Sequence, residues 1–480
     1  MTEGRTGQSI PQRVHLVGVG GAHMSAIARI LLAWGHTVSG SDQRPSPLTE
    51  RLTLEGVSVF EGHDAGNLGE AALLVTTSAA HEDNPEIVEA RRRGLPVIKR
   101  AEMVARLMEG RHAVAVAGTH GKSTTSALIA FILERAGLSP TYLIGGEVPD
   151  LGGNAAAGSG RHIVVEADEF DAAFLSYYPQ LAVVTNVEPD HLDIYGSTER
   201  LVETFGRFLG QVPSDGRIIG CADNQTVRRL LGLEGNAAAA PVVARYVESY
   251  ALDRSADWTV EALESQPDGS YSFRALRQAR VHGSFRTGVP GRHNVANALA
   301  AIAASDALEV PLEAVQGAVA VFRGVRRRFE LVGETGGITV MDDYAHHPTE
   351  VRATLATARQ RFAGRRLVCL FQPHTYSRTR YLLEGFRTCF EDTDELLIAD
   401  TYAARETPEA GMDGRQLAEA VERPRARFVA TFDEAADTAA TMLRPGDVFF
   451  TIGAGDVDQV GPMVLERLRS KPARQGGGSA

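Results

Sequence analysis

A glycine turn set between an apolar strand and an apolar helix constrains this chain most. Ala113-Val114-Ala115-Val116-Ala117 reads as a buried strand, Gly118-Thr119-His120-Gly121-Lys122-Ser123-Thr124 as the turn, and Ser126 to Leu133 as a helix. That order aims backbone N–H groups and the positive end of a helix dipole at one point, where a phosphate can sit. Lys122 adds a full charge for the β- and γ-phosphates, and the Ser123 hydroxyl suits a Mg²⁺ coordination position. The spacing is G-x-x-G-K-S-T, two residues shorter than the common phosphate loop, with Val116 where the longer pattern has its first glycine. A tight turn with an exposed lysine is the plain alternative. The joint occurrence of strand, glycines, lysine, hydroxyls and helix favours ATP with Mg²⁺.

A chain of 480 residues is too long for one ordinary core and predicts about three domains. Alternating strands and helices predict α/β units built on parallel sheets. The first unit, 1–110, opens with Val14-His15-Leu16-Val17-Gly18-Val19-Gly20-Gly21, a helix from about Met24 to Trp34, and a strand at Thr37 to Asp42. Further strands are expected at 56–60, 72–77 and 95–98, with a helix over 85–93. The second, 111–323, has strand candidates at His162 to Glu166 and Leu181 to Asn186, antiparallel additions near Tyr271 to Arg274, and an alanine-rich helix from about Val295 to Asp306. The third, 324–480, carries apolar runs at 337–343, 367–372, 395–400 and 447–452. The glycine-rich tail, Lys471 to Ala480, is expected to be disordered.

A net charge of −11 and the lack of a basic run with interleaved aromatics argue against nucleic acid as a partner. An anionic substrate then needs local helix ends, lysine, arginine or metal. Three cysteines without metal-ligand spacing fit a reducing compartment. The polar start and the absence of a membrane-length apolar run predict a cytoplasmic protein with no membrane partner, a monomer or homodimer.

Several clusters carry the chemistry. Gly18-x-Gly20-Gly21, with Asp42 about twenty residues on, resembles a dinucleotide fingerprint whose third glycine is replaced by His23. An NAD site, a site for another nucleotide diphosphate and a merely structural turn all remain open from these residues. Glu166-Ala167-Asp168-Glu169 ends one strand, and Asn186 to Asp193, with His191, ends the next. Two adjacent strands ending in possible metal ligands suggest a two-Mg²⁺ site, against the alternative of a solvated acidic turn. Asn294 and Asn297 lie one helical turn apart and suit an adenine edge or a helix cap. Arg326-Arg327-Arg328, at a domain junction, suit a γ-phosphate during closure as well as a solvated basic run. Asp342-Asp343-Tyr344-Ala345-His346-His347-Pro348 lacks zinc-site spacing, and His374 with Arg378 could hold a small carboxylate.

These blocks, in this order, resemble the muramyl ligase family of peptidoglycan synthesis over about residues 13 to 460. The most specific pieces are GTHGKSTT (118–125), EADEFD (166–171), TNVEPDHLDIYG (185–196), PGRHNVANALAA (290–301), RRFE (327–330), DDYAHHPTEV (342–351) and QPHTYSRT (372–379). The resemblance implies a Rossmann-like N-terminal domain that binds UDP-N-acetylmuramate through Gly20, Gly21, Met24, Ser25, Asp42 and Ser78. It implies a central P-loop ATPase-like domain in which Lys122 meets the phosphates, Ser123, Glu166 and His191 hold Mg²⁺, and Asn294 and Asn297 bind adenine. A Rossmann-like C-terminal domain would supply Arg328 and Asp343 to the nucleotide and Tyr344, His346, His374 and Arg378 to L-alanine. The implied reaction is ATP-dependent ligation of L-alanine to the lactyl carboxylate through an acyl phosphate. The rivals are a recycling ligase that adds a preformed peptide, an NAD-dependent dehydrogenase and a non-catalytic nucleotide sensor.

Overall fold

The computed structural model describes residues 9–77, 80–234, 246–404, 406–408 and 411–470. Three α/β units follow one another along the chain, each built on its own sheet. The first sheet is parallel, in the spatial order Ser58–Glu61, Thr37–Asp42, Arg13–Val17, Leu73–Thr76, Val97–Lys99. Val14, Leu16 and Val17 are buried on both faces, as the continuous apolar run requires of a central parallel strand.

The second sheet has ten strands. Its parallel part runs Tyr246–Tyr250, Arg217–Cys221, Leu181–Val184, His112–Ala117, His162–Glu166, Thr141–Leu143. Beyond Tyr246–Tyr250 the strand Trp258–Ser265 continues the sheet, and Tyr271–Arg277 and Arg280–Arg286 extend it antiparallel, as the weak alternating pattern there predicts. The strands ending in Glu166 and before Asn186 are not adjacent. They flank the strand His112–Ala117 on its two sides, which corrects the expectation of neighbouring strands. The consequence is favourable: both ends open beside the glycine turn, at the place where ligands of open α/β sheets gather.

Helix Lys122–Arg135 is buried from Thr124 to Leu133 and packs against helix Arg292–Ala307. The latter begins at Arg292, capped by Gly291 and three residues earlier than its alanine-rich stretch suggests, so Asn294 and Asn297 both lie inside its first turns. The third sheet runs Glu330–Thr335, Ile338–Asp343, Val448–Ile452, Leu367–Phe371, Glu395–Ala399, Ala426–Val429, parallel except at the first strand. The tail 471–480 lies outside the described residues.

The units are tied by specific contacts. The first unit's core is continuous with one face of the second sheet. Asn154 Nδ2 donates to Ala22 O at 3.0 Å, and Arg100 meets Asp168 at 3.1 Å. The third unit is held by Arg326 N on Glu147 O (2.8 Å), Thr349 Oγ1 on Glu188 (2.7 Å) and Arg378 on Asp190 (2.9 Å).

Candidate active site

The turn after strand His112–Ala117 is shaped by what surrounds it. Gly118 has φ 139°, and a Cβ there would come within 2.1 Å of Thr185 Oγ1, so no other residue fits without moving the neighbouring strand end. Asn186 Oδ1 accepts the N–H of His120 at 2.8 Å and fixes the turn's tip. Lys122 folds its ammonium onto the carbonyls of Gly118 and Thr119 and onto Glu169, 2.9 Å away. Burial disfavours the Lys122 charge, but Glu169 and Glu166 outweigh it and raise its pKa. Burial dominates at Glu169, whose pKa rises to about 7 despite Lys122.

Two cavities meet at this turn. One, of about 430 Å³, is lined by Gly121, Ser123, Thr124, Asn294, Asn297, Arg328 and Asp343 among others. That volume lies in the range of small-molecule sites. Asn297 Nδ2 donates to Asn294 Oδ1 at 3.0 Å, and Asn294 Nδ2 donates to Pro290 O, so each amide spends part of its capacity locally. The second cavity, about 920 Å³, is lined from all three units: Ala22, His23 and Leu48 from the first; Lys122, Ser123, Glu166 and His191 from the second; Arg328, Tyr344 and His346 from the third.

Glu166 accepts the N–H of Gly145 at 2.7 Å. His191 sits in a left-handed backbone position (φ 52°), and burial lowers its pKa, which keeps a nitrogen lone pair free. A hydroxyl, a carboxylate and a neutral imidazole around one cavity are a donor set that fits a divalent cation. Asp168, whose charge is kept by Arg100 and His23 against burial, lines the same space.

From the third unit, Asp343 receives the N–H groups of Phe329 and Ala345, both at 2.8 Å, and burial raises its pKa to about 6. Its direct effect is to hold the chain that presents Arg328. His346 Nδ1 lies 3.1 Å from the carbonyl of Tyr344, so Nδ1 carries the hydrogen and Nε2 is left as an acceptor. Burial holds the His346 pKa down to about 3. His374 and Arg378 line a third cavity of about 340 Å³ with Asp190 and His191. Arg378 is bonded there to Asp190 and to His374, both ends of the ion pair being buried.

The first unit's predicted residues divide into two groups. Asp42 Oδ2 accepts the N–H of Gly20 at 2.9 Å, and Gly21 precedes helix Ala22–Ala33 without a side-chain cap. Asp42 also lines a shallow cavity of about 170 Å³ with Arg44 and Phe60. Met24 and Ser25 are buried, with the Ser25 hydroxyl bonded to Ala22 O, so their side chains face the core rather than an open site. Ser78 lies outside the described residues.

The sequence placed His120 in the phosphate turn but did not show its carboxylate partners. His120 stands between Glu188 and Glu350, 3.4 Å from each. Burial opposes its charge, yet Glu350 and Glu188 raise its pKa to about 9. His120, Glu188 and His347 also lie close enough to hold a metal, within 4.8 Å of one another. His347 Nδ1, however, already accepts the N–H of Thr349 at 3.2 Å, and Glu188 faces His120 Nε2 at 3.4 Å, so an ion-pair cluster describes the group better. The signal for Glu350 was present as a capping box, His347-Pro348-Thr349-Glu350, at the start of helix Pro348–Arg361.

Comparison with known proteins identifies the family. Family models match three consecutive stretches: the Mur ligase family catalytic domain at 13–112, the Mur ligase middle domain at 116–305 and the Mur ligase glutamate ligase domain at 327–455. The chain is 46% identical to the UDP-N-acetylmuramate–L-alanine ligase of Myxococcus xanthus over 464 residues, which is 96% of each chain. It is 46% identical to the ligase of the same name from an Anaeromyxobacter strain, over 96% of this chain and 99% of that one. Among solved structures, the UDP-N-acetylmuramate-alanine ligase of Thermotoga maritima superposes with a TM-score of 0.78 at 28% identity, over 95% of this chain and 99% of that one. A murein peptide ligase from Psychrobacter arcticus gives 0.69 at 26% identity, over 96% and 100%.

Proposed function

This chain belongs to the Mur ligase family, and we propose that it joins L-alanine to UDP-N-acetylmuramate at the expense of ATP. The observation that carries this reading is the 920 Å³ cavity, which brings the phosphate loop, the metal-type donors and the third unit's basic residues to one space that also opens on the first unit. On this reading residues 1–110 hold the nucleotide sugar, 111–323 hold ATP and 324–480 hold the amino acid. Such a reaction belongs in the cytoplasm, where ATP and nucleotide-linked precursors are available. No described helix is long and apolar enough to cross a membrane.

A carboxylate is a poor electrophile, so the acid must be activated first. An oxygen of the lactyl carboxylate attacks the γ-phosphorus of ATP, the bond to the ADP oxygen breaks, and an acyl phosphate forms. Lys122 and Arg328 spread the charge of the transferring group, and Asn294 with Asn297 fix the adenine end. Ser123, Glu166 and His191 would hold Mg²⁺, which when bound offsets the repulsion between the phosphates and the incoming carboxylate. The neutral amine of L-alanine then attacks the acyl carbon, and phosphate leaves with the electron pair of the C–O bond. His346 offers Nε2 as acceptor to one amine hydrogen. With a pKa near 3 it is too weak a base to keep the proton at neutral pH, so it orients the amine, and the proton departs with phosphate or solvent. Enclosure between three units limits attack by water on the acyl phosphate.

The deciding experiment is ADP release with UDP-N-acetylmuramate while the amino acid is varied. L-Alanine is expected to support turnover, and a tripeptide acceptor is not. Turnover with the tripeptide alone would transfer the assignment to peptide recycling, and no ADP release with either would remove the ligase reading.

A further inference from the structure

Glu350 stands where the two cavities share a wall. It lines both, as do His120, Gly121, Ser123 and Arg328. Its side chain is 10% exposed. One oxygen, Oε1, lies 3.3 Å from the Arg328 guanidinium and 3.4 Å from Nδ1 of His120. The other, Oε2, accepts the N–H of His346 at 3.1 Å and lies 3.5 Å from the His346 ring. His120 belongs to the phosphate loop of the second unit, whereas Arg328 and His346 belong to the third. A buried carboxylate shared by two cationic side chains and a backbone N–H draws all three partners to one place.

We propose that Glu350 is a positioning residue that couples the two chemical steps: one oxygen sets the phosphate loop against Arg328 for phosphoryl transfer, and the other sets His346 for the amine. The proposal rests on the ligase reading above. The bland alternative is that Glu350 only closes the capping box of helix Pro348–Arg361 through the N–H groups of His346 and His347. The two differ in what the carboxylate must supply. A cap needs an acceptor oxygen, which an amide also has. Aligning the Arg328 guanidinium and the His120 imidazolium needs the negative charge.

Glu350→Gln in the full chain separates them. Ligation is measured with L-alanine, and acyl phosphate formation separately with hydroxylamine, which traps it as a hydroxamate. Both rates are expected to fall on the order of 10²-fold, since misplacing reacting groups by about an ångström costs that much. KM for UDP-N-acetylmuramate should stay within about twofold, because the first unit is untouched. Wild-type rates in both assays, or loss of ligation with undiminished hydroxamate, would overturn the coupling. Should the Gln variant lack a cooperative melting transition, Glu350→Asp decides instead. It keeps the charge but withdraws it by one methylene, and both rates should drop about tenfold; unchanged rates would overturn the proposal. Absence of either product from the wild-type chain would instead refute the ligase assignment and leave Glu350 out of the question.

Discussion

The turns at Gly18–Gly21 and Gly118–Gly121 are assembled from the same parts, a buried strand, a glycine bend and a helix, yet they are furnished differently. In the first, the N–H groups of Gly18 and Val19 are bound by Ser41 O, and that of Gly20 by the Asp42 carboxylate. A Cβ on Gly20 would meet that carboxylate at 2.9 Å. No lysine stands in this turn. In the second, Lys122, His120 and the carboxylates Glu166 and Glu169 crowd around the bend. The difference separates a turn closed by its own bonds from one surrounded by charge. A turn whose N–H groups are already bound within the protein has a fixed shape, whereas one that moves a phosphoryl group needs mobile charge whose partners can change.

The largest expected effect tests the second half of this contrast. Lys122→Ala should lower kcat on the order of 10³-fold or more while KM for the nucleotide sugar stays nearly constant, as steady-state ADP release would show. Comparable turnover would mean that the two turns do the same work. Next comes Gly118→Ala, which forces a side chain into a left-handed backbone and into Thr185. A loss of about 3 kcal/mol in urea unfolding, together with lost ATP binding, is expected. A pH series on stability probes the charged imidazole found beside the second turn. His120 rises from 6.5 when unfolded to about 9 when folded, so its stabilisation is complete below about pH 6.5 and disappears as pH climbs through 9. Up to about 3 kcal/mol is at stake, and His120→Asn should flatten the slope in that window. His346 and His374, held down to about 3 and about 4, act oppositely: their contribution is present above 6.5 and falls away in acid. The smallest effect belongs to the first turn. Asp42→Asn should raise KM for UDP-N-acetylmuramate about tenfold, the worth of a charge-assisted hydrogen bond, with KM for ATP unchanged.

Much of this architecture was legible in the sequence, because apolar runs such as Ala113–Ala117 and Leu181–Val184 read as buried strands whatever surrounds them. Spatial order was not. The strands ending in Glu166 and before Asn186 are consecutive in the reading but straddle the central strand in space, since crossover helices reorder strands without leaving a local trace. The same limit hid the contacts of Glu350 with His120, 230 positions apart in the chain, and of Asp190 with Arg378, 188 apart. Ion pairs at that separation obey no spacing rule. Met24 and Ser25 show another limit: a resemblance can flag a segment by its sequence without saying that its side chains pack inward.

The Lys122–Glu169 pair has an outcome that can be weighed in protons. Any phosphate that takes this ammonium must part it from a carboxyl already poised near neutrality. Deprived of its cation while buried, Glu169 should take up a proton from solvent. Nucleotide capture would then carry a proton inward, and calorimetric heats would shift with the ionisation enthalpy of the buffer.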